Sequence, residues 1–175
     1  MPDAAPTIRR IQADEWRLWR EVRLRMLREE AAHFGTRWED ASREPDERWQ
    51  AWTEEAARGD TRVLFAAEQG ERVVGVVGAF LRVDPREAQL ISMWVDPALR
   101  GQGVAERLIR AVAEWARSRG CDDVYLFVQE PNVRARRLYE RAGFQPTGDR
   151  ERVPRRRGFK ALYAAPTDQL LSGAQ

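Results

Sequence analysis

The sequence predicts an α/β fold of the α+β type in one domain, and three observations predict it. Two runs of β-formers, Arg62–Ala67 and Arg72–Arg82, flank a Gln69-Gly70 turn and read as a hairpin. Residues 88–105, AQLISMWVDPALRGQGVA, pass from β-formers (Leu90, Ile91, Met93, Trp94, Val95) through Asp96-Pro97 into a glycine-bearing helix start. On either side of these segments, helical periods alternate with short apolar runs, giving the order β-α-α-β-β-β-α-β-α-β-β.

Taken in order, residues 1–6 read as a loose leader and Thr7–Ile11 as a short edge strand. From Asp14, a plausible N-cap, Leu18, Trp19, Val22, Met26 and Leu27 share one face of a helix that Gly35 interrupts. Gly35–Glu44 is a polar connection containing Trp38. A second helix starts near Pro45 and runs to Gly59 with Trp49, Trp52 and Ala56 as its apolar stripe. After the hairpin and the central strand, Val104, Leu108, Ala111, Val112 and Trp115 mark a helix closed by Gly120. Val124–Val128 is an apolar strand. Pro131-Asn132 opens a short helix with Ala135, Leu138, Tyr139 and Ala142 inward and Gly143 as its stop. Two strands near Phe144–Thr147 and Gly158–Ala164 finish the fold, joined by a basic loop with Arg155, Arg156 and Arg157.

Composition narrows the function classes. With 175 residues the chain is long enough for one sizeable core. Its 30 Lys+Arg nearly balance 28 Asp+Glu, a net charge of +2 that does not suggest nucleic-acid binding. Lys160 is the only lysine, so the basic side chains are otherwise arginine. One cysteine, Cys121, excludes an internal disulfide, and with a single histidine, His33, no zinc-ligand set can be drawn. No apolar signal core or membrane-length run is present, so a cytoplasmic protein is expected.

The strand-to-helix junction carries the first chemical signal. Glycines at a helix mouth let the backbone approach a ligand. The unpaired first N–H groups of a helix attract an anion such as a pyrophosphate, and Arg100 adds a planar cation suited to phosphate. Downstream lies Asn132-Val133-Arg134-Ala135-Arg136-Arg137-Leu138-Tyr139-Glu140-Arg141-Ala142-Gly143-Phe144. Together the two stretches resemble the GNAT superfamily of N-acetyltransferases. The family's Arg/Gln-x-x-Gly-x-Gly/Ala signature reads here Arg100-x-x-Gly103-x-Ala105, with Val95-Asp96-Pro97 before it. Its Asn-x-x-Ala-x-x-Leu-Tyr-x-x-x-Gly-Phe run matches at each of those positions.

The resemblance implies a mixed, mostly antiparallel sheet of six to seven strands with helices on both faces. It also implies a parallel strand pair, 88–95 and 123–128, that splays into a slot for the pantetheine arm of acetyl-CoA. The cofactor motifs fall within 88–144 and the acceptor wall within 14–59. Tyr139 is then the general acid that protonates the leaving thiolate. The Met93 N–H polarises the thioester carbonyl and Val95 bonds the pantetheine, with Trp94 in the same cofactor-binding set. The amides of Gln102, Gly103, Val104 and Ala105 cradle the pyrophosphate, and Arg100, Gly101 and Ala135 belong to the same cofactor-binding set. Asn132 either contacts the cofactor or caps its helix.

The general base is open. Many relatives carry a glutamate early in the central strand where this chain has Gln89, which leaves Glu87 or water. His33 lies outside both motifs, and Cys121 reads as a packing residue. Among the tryptophans, Trp38 is the expected contributor to the acceptor pocket. The implied reaction is direct acetyl transfer to a primary amine, with a small molecule favoured over a protein lysine or N-terminus. A non-catalytic acyl-CoA-binding module is the second class and an arginine-rich nucleic-acid binder the third. Pairing of two copies is a reasonable expectation for the family.

Overall fold

The computed structural model describes residues 5–173. In chain order the elements are β1 (Thr7–Arg10), α1 (Trp16–Glu29), α2 (Trp38–Ala41), α3 (Asp46–Arg58), β2 (Arg62–Gln69), β3 (Arg72–Leu81), β4 (Glu87–Val95), α4 (Val104–Ser118), β5 (Asp123–Gln129), α5 (Val133–Ala142), β6 (Gln145–Arg152), β7 (Phe159–Pro166) and α6 (Thr167–Ser172). The strands form one seven-stranded sheet in the order β1-β2-β3-β4-β5-β7-β6. Neighbours are antiparallel except β4 and β5, which run parallel.

Alternation along the strands feeds two cores. In β2, Val63 and Ala67 face α4, whose Leu108, Val112 and Trp115 are buried there. Leu64 and Ala66 face the other way, onto Trp19 and Leu27 of α1 and Trp49 of α3. Both sheet faces are therefore covered, which explains why β3 is buried almost throughout. Trp19 and Trp49 pack on Trp52 at 5.2 and 6.0 Å between ring centroids, edge-on and stacked respectively.

Several boundaries differ from expectation, each for a local reason. Asp14 does not cap α1. A 3-10 turn, Ala13–Glu15, precedes the helix, and Glu15 accepts the Gln12 N–H at 2.7 Å while Arg9 grips the same carboxylate. The helix stops at Glu29, well before Gly35, and Trp38–Ala41 closes into a short helix of its own. The C-terminal α6 has no counterpart in the sequence expectations, because six residues are too few to display a helical period. Leu170 anchors it in the α4-side core. Of the expected leader, residues 1–4 lie outside the described residues, whereas the Pro6 carbonyl accepts Arg107 Nη1 at 2.5 Å.

The feature that positions the site is the parting of β4 from β5. Their ladder spans only Glu87–Gln89 against Asp123–Tyr125. Beyond it, β5 stays paired with β7 up to Gln129, while β4 follows β3. Between the pairs Gly78↔Ile91 and Val76↔Trp94, two β4 residues, Ser92 and Met93, oppose the single Val77. Ser92 takes φ +56° to accommodate this bulge. A bulge bends and overtwists its strand, so β4 turns away from β5 and a wedge opens between them.

Candidate active site

The wedge leads into a cavity of about 560 Å³. Gln89–Val95 of β4 form one wall, and Phe127–Gln129 of β5 with Asn132, Ala135, Leu138 and Tyr139 form the other. The first turn of α4 lies at one end and residues 30–36, after α1, contribute the roof. The expected residues Met93, Trp94, Val95, Arg100, Gly101, Val104, Ala105, Asn132, Ala135 and Tyr139 all line this one space. Gln102 and Gly103 do not line it. Gln102 turns back to donate to the Ala98 carbonyl at 3.1 Å.

At the helix mouth Gly101 and Gly103 both adopt left-handed backbone, φ +77° and +76°. No atom stands within 4 Å of where a Cβ would sit at either, so glycine is required by conformation and leaves an open approach. The N–H groups of α4's first turn face that opening without helical partners. Arg100 is not a free cation. Its Nε donates to the Val95 carbonyl at 3.0 Å and its guanidinium pairs with Glu30. Glu30 also accepts Arg134 Nη2 at 3.0 and 3.2 Å and lies 3.5 Å from His33 Nδ1. Desolvation pushes the Glu30 carboxyl up, but Arg134 and Arg100 outweigh it and hold the group below its ordinary range. This cluster ties the end of α1 to the mouths of α4 and α5.

Tyr139 is 7% exposed, edge-on to Phe144 at 5.8 Å and 74°. Its hydroxyl has no hydrogen-bond partner among the described residues, and desolvation raises its pKa far above the ordinary phenol value. Asn132 resolves toward the cap, since its Oδ1 accepts the Ala135 N–H at 3.2 Å. Glu87 is drawn off: it pairs with Arg82 at 3.0 Å and stands outside the cavity wall. Gln89 is on the wall, its Oε1 accepting Arg82 Nη1 at 3.2 Å. Trp38 lies under a separate surface groove beside Leu27 and Arg156, and Trp52 of α3 takes the wall position instead. Cys121 is buried away from the cavity, where desolvation raises its thiol pKa.

The structure adds residues that the motifs do not contain. Arg23 projects from α1 into the cavity and is 7% exposed. It donates to Ser92 Oγ at 3.2 Å and Thr36 Oγ1 at 3.3 Å. Arg62 and Lys160 also reach the wall. A signal for Arg23 exists in the sequence: it follows Trp19 by four positions and so falls on the apolar arc with Val22 and Met26. The basic loop packs on this side of the molecule, with Arg155 Nη1 on Asp40 of α2 at 3.1 Å and Arg156 donating to the Ala31 carbonyl beneath the roof. These contacts account for two of the arginines that suggested nucleic acid.

Comparison with known proteins agrees with this fold. Residues 13–144 match the Acetyltransferase (GNAT) family. Over 89 residues the chain is 41% identical to N-acetyltransferase 8B of Rattus norvegicus, covering 49% of this chain and 40% of that protein. Human N-acetyltransferase 8 matches at 39% over 89 residues, again 49% of this chain and 39% of the relative. The chain thus spans well under two thirds of these relatives. Among solved structures, a GNAT-family acetyltransferase from Streptococcus pneumoniae superimposes with TM-score 0.76 at 18% identity, covering 92% of this chain and 98% of that one. PaiA N-acetyltransferase of Thermoplasma acidophilum in complex with coenzyme A gives 0.75 at 14% identity, covering 93% and 99%. The structure of yncA from Salmonella typhimurium with its cofactor acetyl-CoA also gives 0.75, at 18% identity, covering 94% and 95%. At these identities the structural likeness concerns the fold.

Proposed function

The chain belongs to the GNAT acetyltransferase family, and from that premise we propose that it transfers the acetyl group of acetyl-CoA directly to a primary amine of a small molecule. The observation that carries the reading is the parting of β4 from β5 above Gln89, with Tyr139 facing the gap and the glycine turn at its mouth. A parted strand leaves backbone N–H and C=O groups in need of partners, and a pantetheine chain with two amides supplies them along Met93–Val95. The first-turn amides of α4 receive the pyrophosphate, with Gly101 and Gly103 keeping side chains out of its path. Solved neighbours that hold coenzyme A or acetyl-CoA support this donor.

In the transfer, the amine nitrogen bonds to the thioester carbon as the carbon–sulfur bond breaks. The Met93 N–H is the donor toward the carbonyl oxygen as charge develops there. Tyr139, kept protonated by burial, gives its proton to the departing sulfur. The amine's surplus proton leaves to water, because Gln89 cannot accept it and Glu87 is held by Arg82. An alkyl amine of pKa about 10.4 is only ~0.1% neutral near neutrality. Arg23, the wall cation without an acidic partner among the described residues, opposes a second cation and so favours the neutral amine on binding.

The volume, within the roughly 300–1,000 Å³ typical of small-molecule sites, supports a small acceptor over a protein chain. So does the roof, tied down by Glu30 on Arg100 and by Arg156 on the Ala31 carbonyl. The test is free-thiol release from acetyl-CoA against a panel of small amines, lysine peptides and peptides with free N-termini. Release that requires a small amine is expected. Release only with peptides would transfer the function to a protein acetyltransferase, and binding of acetyl-CoA with no release across the panel would reduce it to a binding module.

A further inference from the structure

We propose that the acceptor carries a carboxylate next to its amino group, as an α-amino acid does, and that Arg23 binds this carboxylate. The proposal rests on the acetyl-transfer reading for the amine and on Arg23 itself for the acid.

An arginine nine-tenths buried normally has an acidic partner, because an unpaired charge taken out of water is costly. Arginines that are far less buried have acidic partners even so: Arg9 has Glu15 and Glu68, Arg25 has Glu29 and Asp96, and Arg100 has Glu30. Arg23 is more deeply buried than any of these, yet no carboxylate pairs with it among the described residues. Its neighbours are neutral: the hydroxyls of Ser92 and Thr36, the Met26 sulfur at 3.9 Å, and the rings of Phe34 and Trp52 at 5.6 and 5.9 Å. The positive charge is thus left uncompensated on a cavity wall. Burial alone draws the guanidinium down to about 10, a displacement that a bound anion would reverse.

The contacts are suited to an anion. Ser92 and Thr36 accept hydrogen bonds from Arg23, so their own hydroxyl hydrogens remain available for donation. Arg62 also reaches this wall, but its Nε lies 3.5 Å from Glu55 Oε2, so Arg23 is the cation there without an acidic partner among the described residues. The two carboxylates that line the cavity face other arginines: Glu30 is shared by Arg100 and Arg134, and Glu106 stands 4.0 Å from Arg141.

Position decides where on the acceptor the acid must lie. Arg23 grips Ser92, the residue directly before Met93, whose N–H faces the thioester in the proposed transfer. An acid held by Arg23 therefore lies close to the amine that attacks there, which the α-amino acid arrangement provides. Phe34, Trp52 and Phe127 offer apolar walls for the remaining side chain. A polyamine would instead place a second cation against Arg23 and Arg62.

The experiment compares phenylalanine with phenylalaninamide, and leucine with leucinamide, as kcat/KM with acetyl-CoA corrected for the neutral-amine fraction. The acid is expected to be favoured by about 30-fold or more, the lower range for losing one partner of a buried charge pair. In Arg23→Met the ratio should collapse to within about threefold. Thr36→Val, a roof substitution that keeps the cation, should shrink it several-fold by removing one donor. Calorimetry of N-acetylphenylalanine and its carboxamide in the presence of coenzyme A gives a readout independent of turnover, with the acid expected to bind at least ~10-fold tighter in wild type only. Retained acid binding without transfer to any amine would uphold the carboxylate site and sink the acetyl-transfer reading. Transfer that treats acid and amide alike, or a preference that survives Arg23→Met, would overturn the proposal while leaving transfer intact. No preference for the acid in either binding or turnover would also overturn it.

Discussion

Replacing Tyr139 with phenylalanine tests the proposed chemistry with little structural disturbance. The ring contact with Phe144 is retained, and the lost hydroxyl has no partner among the described residues, so no buried group is orphaned. The stability change should stay within about 1 kcal/mol, or roughly 2–4 °C in Tm for a chain of this size. The catalytic loss should be far larger. A positioned general acid contributes about 10²–10⁴ in rate, so kcat for thiol release should fall at least ~100-fold with the acetyl-CoA KM within about threefold. The pH profile adds a second constraint. Tyr139 acts in its protonated form, and burial raises its pKa, so ionisation cannot remove the acid until well into the alkaline range. Wild-type kcat/KM should therefore climb as the amine deprotonates and show no descending limb below about pH 10, the ordinary phenol value. A Tyr139→Phe enzyme within threefold of wild type would refute the role. So would a wild-type descending limb below that pH that vanishes in the variant.

Two further substitutions probe the donor side. Gly103→Val forces a β-branched residue to φ +76°, costing on the order of 1–2 kcal/mol, so Tm should drop by several degrees in a melting experiment. Its acetyl-CoA KM should rise about tenfold, because steady-state binding loses the open approach to the α4 amides. Asn132→Ala removes the α5 cap at a cost of about 1 kcal/mol, lowering Tm by roughly 2–4 °C. If capping is its whole role, the acetyl-CoA KM should remain within threefold; a larger rise would show that Asn132 also contacts the donor.

What the sequence determined by itself is everything encoded over short range. Alternation and helical period place β2, β3, α3 and α4 within a few residues of their observed limits, and the Gly59 and Gly143 stops coincide with left-handed caps. The two motifs likewise identify residues that meet on one cavity, because each is read along a continuous backbone. The tertiary structure alone decided matters that depend on partners distant in sequence. Glu87 reads as a candidate base until Arg82 pairs with it, and Arg100 reads as a free cation until Glu30, seventy positions away, pairs with it. Arg23 is the clearest case. Its place on the Trp19–Met26 arc is visible in the periodicity, but a long arginine on an apolar arc can thread its guanidinium out to water. Whether it does so depends on what packs around its tip. Here Trp52 from α3, Phe34 from the roof and the Ser92 bulge of β4 converge there, and they keep the charge inside, facing the cavity.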